Sequence, residues 1–444
     1  MALTVLGGTS IPDDVVAILR KGPKYSIEPR IPGHELLSLN RRIAGKADPE
    51  HQERCLLDGV DSLNRTAPIH GAGHDSTTKR FVKFFADQKL RLTQVDKQGV
   101  FVIIPSGLIS WAREITTMPS RRPYRHVIDG APRSPLVVPE VFRKSLSFRA
   151  AKGDVVWCTY PKSGSHWVQY ITQLILKEGK PISSYGEFAR NYRAIEYVET
   201  DGWESPLPVR LFMTHQPLSR ENMNKEAKYI YVARNPWDVC VSQFRMTTDL
   251  SSYQFEDGTF DEFFEPFIEG DLGFGSYFDH VASAYAIRDE LNLFFVTYEE
   301  LKKDNMGTVL RLASFIGERY ERAMLENSQM LQDILEWSKP EHMRKVVVLN
   351  FRESETPEWN NLFVKINVTS KEGYGGDSTK YALVKEAKVG GWKEYFTPDL
   401  LARLEKKIQE EGDNASFLEL WEDIRKEAFT LSPGSSVYQH FSVP

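Results

Sequence analysis

Residues 155–167 read Val-Val-Trp-Cys-Thr-Tyr-Pro-Lys-Ser-Gly-Ser-His-Trp, and they constrain the fold more than any other segment of the chain. The nearly continuous apolar start is typical of a parallel strand that is covered on both faces. A turn with proline and glycine follows, and apolar residues spaced by three and four from Trp167 to Ile175 predict one face of a helix. The segment therefore predicts a buried strand, a tight turn and a helix.

The turn between this strand and this helix is suited to binding an anion. The first backbone N–H groups of a helix have no partner within the helix, and they favour negative charge. Lys162 adds a positive charge, and Ser163 and Ser165 add hydroxyl donors. The segment differs from the phosphate motif Gly-x-x-x-x-Gly-Lys-[Ser/Thr], because Lys162 precedes Gly164. An ordinary strand-to-helix turn with a solvated lysine is the alternative interpretation.

Strand and helix patterns alternate through the second part of the chain, which predicts βα units and a parallel sheet. Further strands are predicted at residues 209–213, 229–233, 293–297 and, with a shorter pattern, 346–349. The fold class that these patterns indicate is α/β, with helices flanking a central parallel sheet.

Polar residues follow the predicted strands directly. Lys162 comes after the first strand, and His215, Arg234 and Tyr298 come after the next three. Open parallel sheets bind ligands at the carboxyl edge of their strands. We therefore expect these four residues to converge on one cleft.

The segment at residues 229–242 predicts a second phosphate contact. A strand ends at Arg234, Asn235 has the character of an N-cap, and Pro236 suits the first position of a helix. Arginine at the start of a helix grips a phosphate through its planar guanidinium. Ser242 lies about two turns further on, and a salt-bridged arginine with a buried serine is the alternative interpretation.

The composition excludes several classes of protein. A net charge of −5 argues against a general nucleic-acid binder, so local positive charge has to hold any anionic ligand. Three scattered cysteines indicate a reducing compartment without disulfides. Neither a signal peptide pattern nor an apolar run of about 18 residues is present, so we expect a cytoplasmic protein that does not contact a membrane. Cys55, His70 and His74 are the candidate zinc ligands, but they do not complete the four ligands of a structural zinc site. We therefore expect no metal.

Composition also divides the chain into two predicted parts. Residues 1–120 are polar with scattered glycine, and we treat them as an N-terminal extension of unknown function. Residues 121–444 form the second predicted domain. Within the extension, residues 22–29 and 96–103 resemble the region before the reverse-transcriptase domain of non-LTR retroelements, although no polymerase signature follows.

Two motifs of the second domain resemble those of cytosolic sulfotransferases. Tyr-Pro-Lys-Ser-Gly-x-x-Trp from residue 160 is similar to the 5′-phosphosulfate loop of that family. Tyr-Val-Ala-Arg-Asn-x-x-Asp-x-x-x-Ser from residue 231 is similar to its 3′-phosphate site. The resemblance covers about residues 124–430. It implies a P-loop-like α/β fold that takes 3′-phosphoadenosine-5′-phosphosulfate (PAPS) as sulfuryl donor and needs no metal.

The resemblance also implies roles for individual residues. His215 matches the family's general base, since a neutral imidazole accepts a proton from an attacking hydroxyl, and a structural histidine at a strand end is the alternative. Lys162 is implied to stabilise the leaving group as well as to bind the donor. The donor-binding residues that the resemblance implies are Lys162, Ser163, Gly164, Ser165, His166, Trp167, Arg234, Ser242, Tyr298, Ser338 and Lys385.

Three departures from the family pattern bear on activity. Met213 stands where the family has a lysine, two residues before the histidine, so one cation is lost. His166 stands where a hydroxyl is common, and its ring either restores that charge as an imidazolium or only packs. In the loop that closes over the donor, Lys385 replaces an arginine and Glu386 replaces a lysine. A carboxylate beside a 3′-phosphate opposes binding.

The sequence therefore predicts a sulfotransferase acting on a hydroxyl or amine of a small apolar acceptor, such as a phenol, alcohol, steroid or amine. Phe188, Tyr192, Tyr197 and Phe244 are candidates for the acceptor walls. A nucleotide-binding protein of the same fold with little or no transferase activity is the first alternative, and a small-molecule kinase is the second. The family's dimerisation sequence is half present, at residues 393–402, which leaves a homodimer open.

Overall fold

A computed structural model describes residues 121–353, 356–385 and 387–431, together with the backbone of four strands before residue 121. The contacts within the chain divide it into two units, Met1–Ser120 and Arg121–Pro444. The predictions that concern Cys55, His70, His74 and Glu386 lie outside the described residues, as does most of the two retroelement-like segments. The first unit contains a sheet of order β2-β1-β4-β3, whose strands are β1 (Ala2–Val5), β2 (Ser26–Ile27), β3 (Leu90–Gln94) and β4 (Phe101–Pro105).

The described residues of the second unit form three sheets, of which the largest carries the candidate site. The strands of this unit are β5 (His126–Ile128), β6 (Ala131–Arg133), β7 (Val155–Cys158), β8 (Arg193–Ala194), β9 (Leu211–Thr214), β10 (Lys228–Ala233), β11 (Leu293–Thr297), β12 (Val348–Asn350) and β13 (Lys380–Ala382). The central sheet has the order β11-β10-β7-β9-β8. All four of its pairings are parallel. The second unit is thus an α/β structure, as the sequence predicts.

The described residues of the second unit form fourteen α-helices. They are α1 (Pro139–Ser145), α2 (Ser165–Leu176), α3 (Tyr185–Arg190), α4 (Pro236–Asp249), α5 (Phe260–Glu269), α6 (Tyr277–Tyr285), α7 (Tyr298–Lys303), α8 (Asn305–Ile316), α9 (Glu318–Glu326), α10 (Ser328–Trp337), α11 (Pro340–Val346), α12 (Pro357–Ile366), α13 (Pro398–Glu411) and α14 (Glu422–Thr430). Short 3₁₀ helices lie at Arg220–Asn222, Ser251–Tyr253, Gly391–Glu394 and Gly412–Trp421. In the part of the chain that the structure describes, no helix is long and apolar enough to span a membrane.

The strand at the centre of the sheet is buried on both faces. All four residues of β7 are buried, which explains the continuous apolar run in its sequence. The next helix packs on it through the predicted apolar face, where Ile171, Leu174 and Ile175 have no exposed surface. The indole N–H of Trp157 donates to the Thr172 hydroxyl at 3.3 Å, which joins the strand to α2.

Four of the five predicted strands take their places in the central sheet, and one does not. Residues 346–349 are wrong as a strand of that sheet, because α11 continues to Val346 and the strand begins only at Val348. This strand, β12, pairs antiparallel with β13 in a separate two-stranded sheet. A short apolar run does not distinguish these two settings.

Core packing at α2 gives a test of this description. Leu174 has no exposed surface, whereas Leu291 is 99 % exposed. We expect Leu174→Ala to lower the free energy of unfolding by about 2–5 kcal/mol, because it leaves a cavity. The matched change Leu291→Ala is expected to stay within about 0.5 kcal/mol. Urea unfolding followed by tryptophan fluorescence checks both, and equal effects of the two changes would contradict the packing described.

Candidate functional site

A cavity of about 210 Å³ lies at the carboxyl edge of the central sheet. Lys162 follows β7, His215 follows β9, Arg234 follows β10, and Tyr298 follows β11. All four residues line this cavity, so they converge although they are far apart in sequence. Parallel pairing is the cause, since it brings the carboxyl ends of the strands to one edge.

The turn after β7 has an unusual backbone. Lys162 and Gly164 both adopt positive φ values, of 70° and 104°, so the chain turns sharply before α2 begins at Ser165. No side chain caps this helix. The hydroxyl of Ser163 is buried and has no hydrogen-bond partner among the described residues. The turn therefore places a lysine at the start of an uncapped helix, as an anion site requires.

Gly164 allows the aromatic residues to approach this turn. A Cβ atom at this position would lie 2.7 Å from Cδ2 of Tyr298, which is too close for any side chain. The rings of Tyr298 and Trp167 meet edge to face with centroids 5.4 Å apart. The indole N–H of Trp167 is buried without a partner in the described part of the chain. Two aromatic rings thus stand beside the anion-binding turn.

Arg234 joins two loops across the cavity. Its Nη1 donates to the Lys162 carbonyl at 3.2 Å, and its Nη2 donates to the Lys388 carbonyl at 2.8 Å. The guanidinium lies 4.5 Å from the centroid of the Tyr298 ring. Its Nε has no partner among the described residues. Arg234 therefore sits where the sequence predicts, with one donor still unpaired.

The helix after Arg234 holds the C-terminal loop in place. Asn235 caps α4 by accepting from the Asp238 N–H at 2.8 Å, which confirms the predicted N-cap. The Asp238 carboxylate accepts from the Gly390 N–H at 2.9 Å and from the Trp392 N–H at 3.1 Å. Ser242, on the same helix, lines the cavity. The loop that contains Lys388 is thus anchored on the helix that carries Ser242.

Lys385 lines the cavity but is paired with carboxylates. Its Nζ lies 3.1 Å from the Asp249 carboxylate and 3.0 Å from the Glu372 carboxylate. Asp249 is buried and also accepts from the Ser370 hydroxyl at 2.6 Å. The sequence does not reveal this pairing, because an aspartate at the end of a helix is typical of a solvated surface. An anionic ligand has to compete with both carboxylates for Lys385.

Positive charges gather around Lys162. Burial, followed by the neighbouring charges of Lys385, Arg234 and Arg245, lowers the pKa of its ammonium to about 8, against the opposing effect of Asp249. Arg245 also lines the cavity, and the sequence analysis did not identify it. Like charges held together in a buried site favour the binding of an anion, which would relieve their repulsion.

His166 does not replace the charge lost at Met213. Burial, followed by the charges of Lys162 and His215, lowers the pKa of its imidazole to about 3. The ring is therefore neutral near pH 7, and it packs beside Phe188 with centroids 6.5 Å apart. This favours the packing alternative for His166.

The ring of His215 is held in one tautomer. Its Nδ1 lies 2.8 Å from the Thr159 carbonyl oxygen, which only accepts hydrogen bonds, so Nδ1 carries the proton. Burial lowers the pKa of His215 to about 4, although this hydrogen bond opposes the shift. The unprotonated Nε2 is thus available as a base at neutral pH. The rings of Tyr197 and Phe274 contact the imidazole edge to face, at 6.3 and 5.8 Å between centroids.

The rest of the cavity wall is mainly apolar. Of the four aromatic residues predicted there, Tyr197 lines the cavity, while Phe188 and Tyr192 are buried in the core. Phe244 packs against Phe260 instead. The apolar residues on the wall are Leu136, Tyr197, Val241, Met246, Phe274, Met343, Tyr381, Leu383 and Val384.

Two of the predicted donor residues do not line the cavity. Ser163 is fully buried beneath the turn. Ser338 is fully buried at the end of α10, where its hydroxyl donates to the Leu335 carbonyl at 3.2 Å. The Ser338 hydroxyl thus bonds to its own helix, and its role in donor binding stays a prediction. The remaining predicted residues, Lys162, Gly164, Ser165, His166, Trp167, Arg234, Ser242, Tyr298 and Lys385, all line the wall.

Residues 152–416, more than half of the chain, match the sulfotransferase domain family. The chain belongs to this family. It is therefore an enzyme of the class that transfers sulfuryl groups. In the described part of this sulfotransferase, no three His, Cys, Asp or Glu side chains cluster as metal ligands would.

Two sequence relatives agree with this assignment. The sulfotransferase is 29 % identical to the amine sulfotransferase of Oryctolagus cuniculus over 301 residues, which cover 66 % of this chain and 91 % of that protein. It is 27 % identical to the 3-alpha-hydroxysteroid sulfotransferase of Cavia porcellus over 281 residues, covering 61 % of this chain and 88 % of that protein. A crystal structure of mouse sulfotransferase SULT7A1 complexed with PAP aligns with a TM-score of 0.49 and 22 % identity, covering 68 % of this chain and 99 % of that one.

The contact between Gly164 and Tyr298 predicts a specific loss. Gly164→Ala and Gly153→Ala both place a side chain at positive φ, but an added Cβ meets no atom within 4 Å at Gly153. We expect Gly153→Ala to cost about 1–2 kcal/mol of stability from backbone strain alone. Gly164→Ala is expected to cost clearly more and to shift the fluorescence of the neighbouring Trp167. Unfolding curves and emission spectra check this, and equal losses without a spectral change would contradict the close approach.

Proposed function

We propose that this sulfotransferase binds PAPS at the turn after β7 and transfers its sulfuryl group to a hydroxyl or amine of a small apolar acceptor, with His215 as general base. The observation that carries the proposal is the bond from the His215 ring to the Thr159 carbonyl. It leaves Nε2 unprotonated beside a turn built to hold an anion.

The residues of the cavity fit a nucleotide with two anionic ends. Buried donors without partners among the described residues occur on the cavity wall at Trp167 and Arg234, and each would gain a bond from a polar ligand. The turn with Lys162 is suited to the 5′ end, and Arg234 with Ser242 to the 3′-phosphate. The rings of Trp167 and Tyr298 offer flat apolar surfaces to an adenine.

The chemistry follows from these positions. His215 Nε2 takes the proton of the acceptor hydroxyl as its oxygen forms a bond to sulfur. Lys162 and the helix N-terminus stabilise the charge that grows on the phosphate oxygen as its bond to sulfur breaks. The acceptor gains the sulfuryl group, the phosphate oxygen keeps the bonding electrons, and the proton rests on His215.

The apolar wall and the relatives support a small organic acceptor. Leu136, Phe274 and Met343 give this part of the cavity a hydrophobic lining suited to a ring or chain. The two curated relatives are named for amines and for 3-alpha-hydroxysteroids, so both hydroxyl and amine acceptors suit the proposal. A cytoplasmic location and a homodimer stay predictions.

A donor-binding protein with little transferase activity is the second candidate. Two observations favour it: Met213 supplies no charge beside His215, and Lys385 is already paired with Asp249 and Glu372. Both bear on the rate or on donor affinity, so binding and turnover have to be measured separately.

Calorimetric titration with 3′-phosphoadenosine-5′-phosphate (PAP) and with adenosine diphosphate tests the donor site. Adenosine diphosphate lacks the 3′-phosphate that Arg234 and Ser242 are proposed to hold. We expect PAP to bind at least tenfold more tightly, since one charge-assisted contact contributes about 1.5–3 kcal/mol. Arg234→Gln should remove most of this difference. Arg220→Gln, at an exposed arginine paired with Glu290, is the control.

Two results of that titration would contradict the donor site. Equal affinity for both nucleotides, or no binding of either, means that the cavity does not read a 3′-phosphate. An equal loss of PAP affinity in Arg234→Gln and Arg220→Gln would show a general charge effect instead.

The lowered pKa of Lys162 predicts a pH dependence. The free protein loses the Lys162 proton as the pH rises through about 8, and with it the charge that holds the donor. We therefore expect kcat/KM for PAPS to fall about tenfold per pH unit above this value. The fall in kcat should begin at a higher pH, because a bound anion favours the charged ammonium. Lys162→Arg should remove this pH dependence, since arginine stays charged. The same pH dependence in Lys162→Arg, for PAPS turnover or PAP affinity, would exclude Lys162 as its source.

A further inference from the structure

The peptide groups of His215 are bound by side chains rather than by the sheet. The ladder between β7 and β9 ends with the Thr159 N–H donating to the Thr214 carbonyl at 3.2 Å. One residue later, the His215 N–H donates to Glu196 Oε1 at 2.7 Å. The His215 carbonyl accepts from His280 Nε2 at 3.0 Å. Two buried side chains therefore hold the backbone of the proposed base through its N–H and its carbonyl.

Glu196 binds the whole turn that carries His215. Its Oε1 also accepts from the Thr214 hydroxyl at 2.5 Å, and the Thr214 oxygen accepts from the Gln216 N–H at 3.0 Å. One carboxylate thus binds Thr214 and His215 directly and is linked to Gln216 through the Thr214 hydroxyl. Among the described residues, no lysine or arginine forms an ion pair with Glu196, although its side chain is buried. Burial raises the pKa of its carboxyl to about 7, while these hydrogen bonds oppose the shift.

His280 binds the same turn through the His215 carbonyl. It lies on α6 and is fully buried. Because the His215 carbonyl only accepts, Nε2 of His280 carries the proton, and burial lowers the pKa of its ring to about 4, so the ring is neutral. Its Nδ1 then accepts from the Tyr231 hydroxyl at 2.7 Å. Tyr231 is fully buried on β10, so the bond to His215 is connected to a buried strand of the central sheet.

We propose that Glu196 and His280 are positioning residues that hold His215 so that Nδ1 bonds to the Thr159 carbonyl and Nε2 stays free to take a proton. The proposal rests on the proposed function of His215 as general base. A buried carboxylate without a cation is costly, and these bonds give it a specific task in the turn. The sequence did not suggest either residue: Glu196 follows a strand of two residues, and His280 occupies a buried helix position.

Paired variants test the effect on rate. Glu196→Ala and His280→Leu remove the bonds, and we expect each to lower kcat about 10- to 100-fold, because a displacement of about 1 Å costs up to this much. Glu196→Gln keeps an oxygen acceptor for the His215 N–H, and His280→Gln keeps an N–H donor for its carbonyl. Both conservative variants should recover most of the rate. PAP affinity should not change in any of the four, which separates positioning from loss of the donor site.

A double-mutant cycle with His215→Ala shows whether the two residues act through His215. In that background, Glu196→Ala and His280→Leu should lower the residual rate by no more than about twofold. Losses of the same size in both backgrounds would overturn the proposal, since they would show a general structural role. Full activity of Glu196→Ala and His280→Leu would overturn it as well.

Nitrogen-15 NMR of labelled histidines keeps the test independent of turnover. We expect His215, assigned by its absence from His215→Ala, to show a protonated Nδ1 and an unprotonated Nε2 at pH 7. Glu196→Ala and His280→Leu should mix the two tautomers, while the Gln variants should not. If the wild type shows this signature and its loss in the variants but no sulfuryl transfer, positioning stands and the proposed function fails. An unchanged signature in every variant overturns positioning whatever the activity.

Discussion

Parallel pairing of β7 with β9 and β10 is the constraint on which the site depends. Val155 lies opposite Leu211, and Tyr229 lies opposite Val156, so the three strands end together at one edge. Lys162, His215 and Arg234 follow these ends directly. Their positions relative to one another are therefore set by backbone hydrogen bonds of the sheet and not by the loops alone. A shift of one residue in this register would turn β7 over and separate them.

Burial gives the assembled groups their chemistry. The same loss of solvent that lowers the pKa of Lys162 to about 8 lowers that of His215 to about 4. The lowered pKa of Lys162 means that its ammonium is stabilised when an anion binds. The lowered pKa of His215 means that its imidazole is neutral at pH 7. One buried pocket thus supplies an anion site and a base side by side. Asp249 moderates the charge by pairing with Lys385.

Short-range patterns account for the parts of the site that the sequence predicts. The strand, turn and helix around Lys162, the Asn235 cap and the positions of the main strands along the chain follow from local periodicity and from residue preference. Their convergence follows from the geometry of parallel sheets. Family resemblance adds the proposed roles, and the match over residues 152–416 confirms the family itself.

Contacts between distant residues account for what the sequence does not predict. Lys385 lies 136 residues from Asp249, and His280 lies 65 residues from His215, so no local pattern reveals either pair. Residues 346–349 contain an apolar run that is equally suited to a helix end and an edge strand, and the structure contains both. Ser338 lies outside the cavity lining, and its hydroxyl bonds to its own helix.

Single-turnover transfer from ³⁵S-labelled PAPS tests the central claim that these strand ends form a working sulfotransferase site. Excess wild-type protein is mixed with labelled donor and a mixture of simple phenols, alcohols and amines, beside His215→Ala as the matched control. We predict labelled acceptor from the wild type and at least a hundredfold slower transfer by the variant. Donor that stays intact on a protein able to bind PAP, or equal rates for both proteins, would contradict the account.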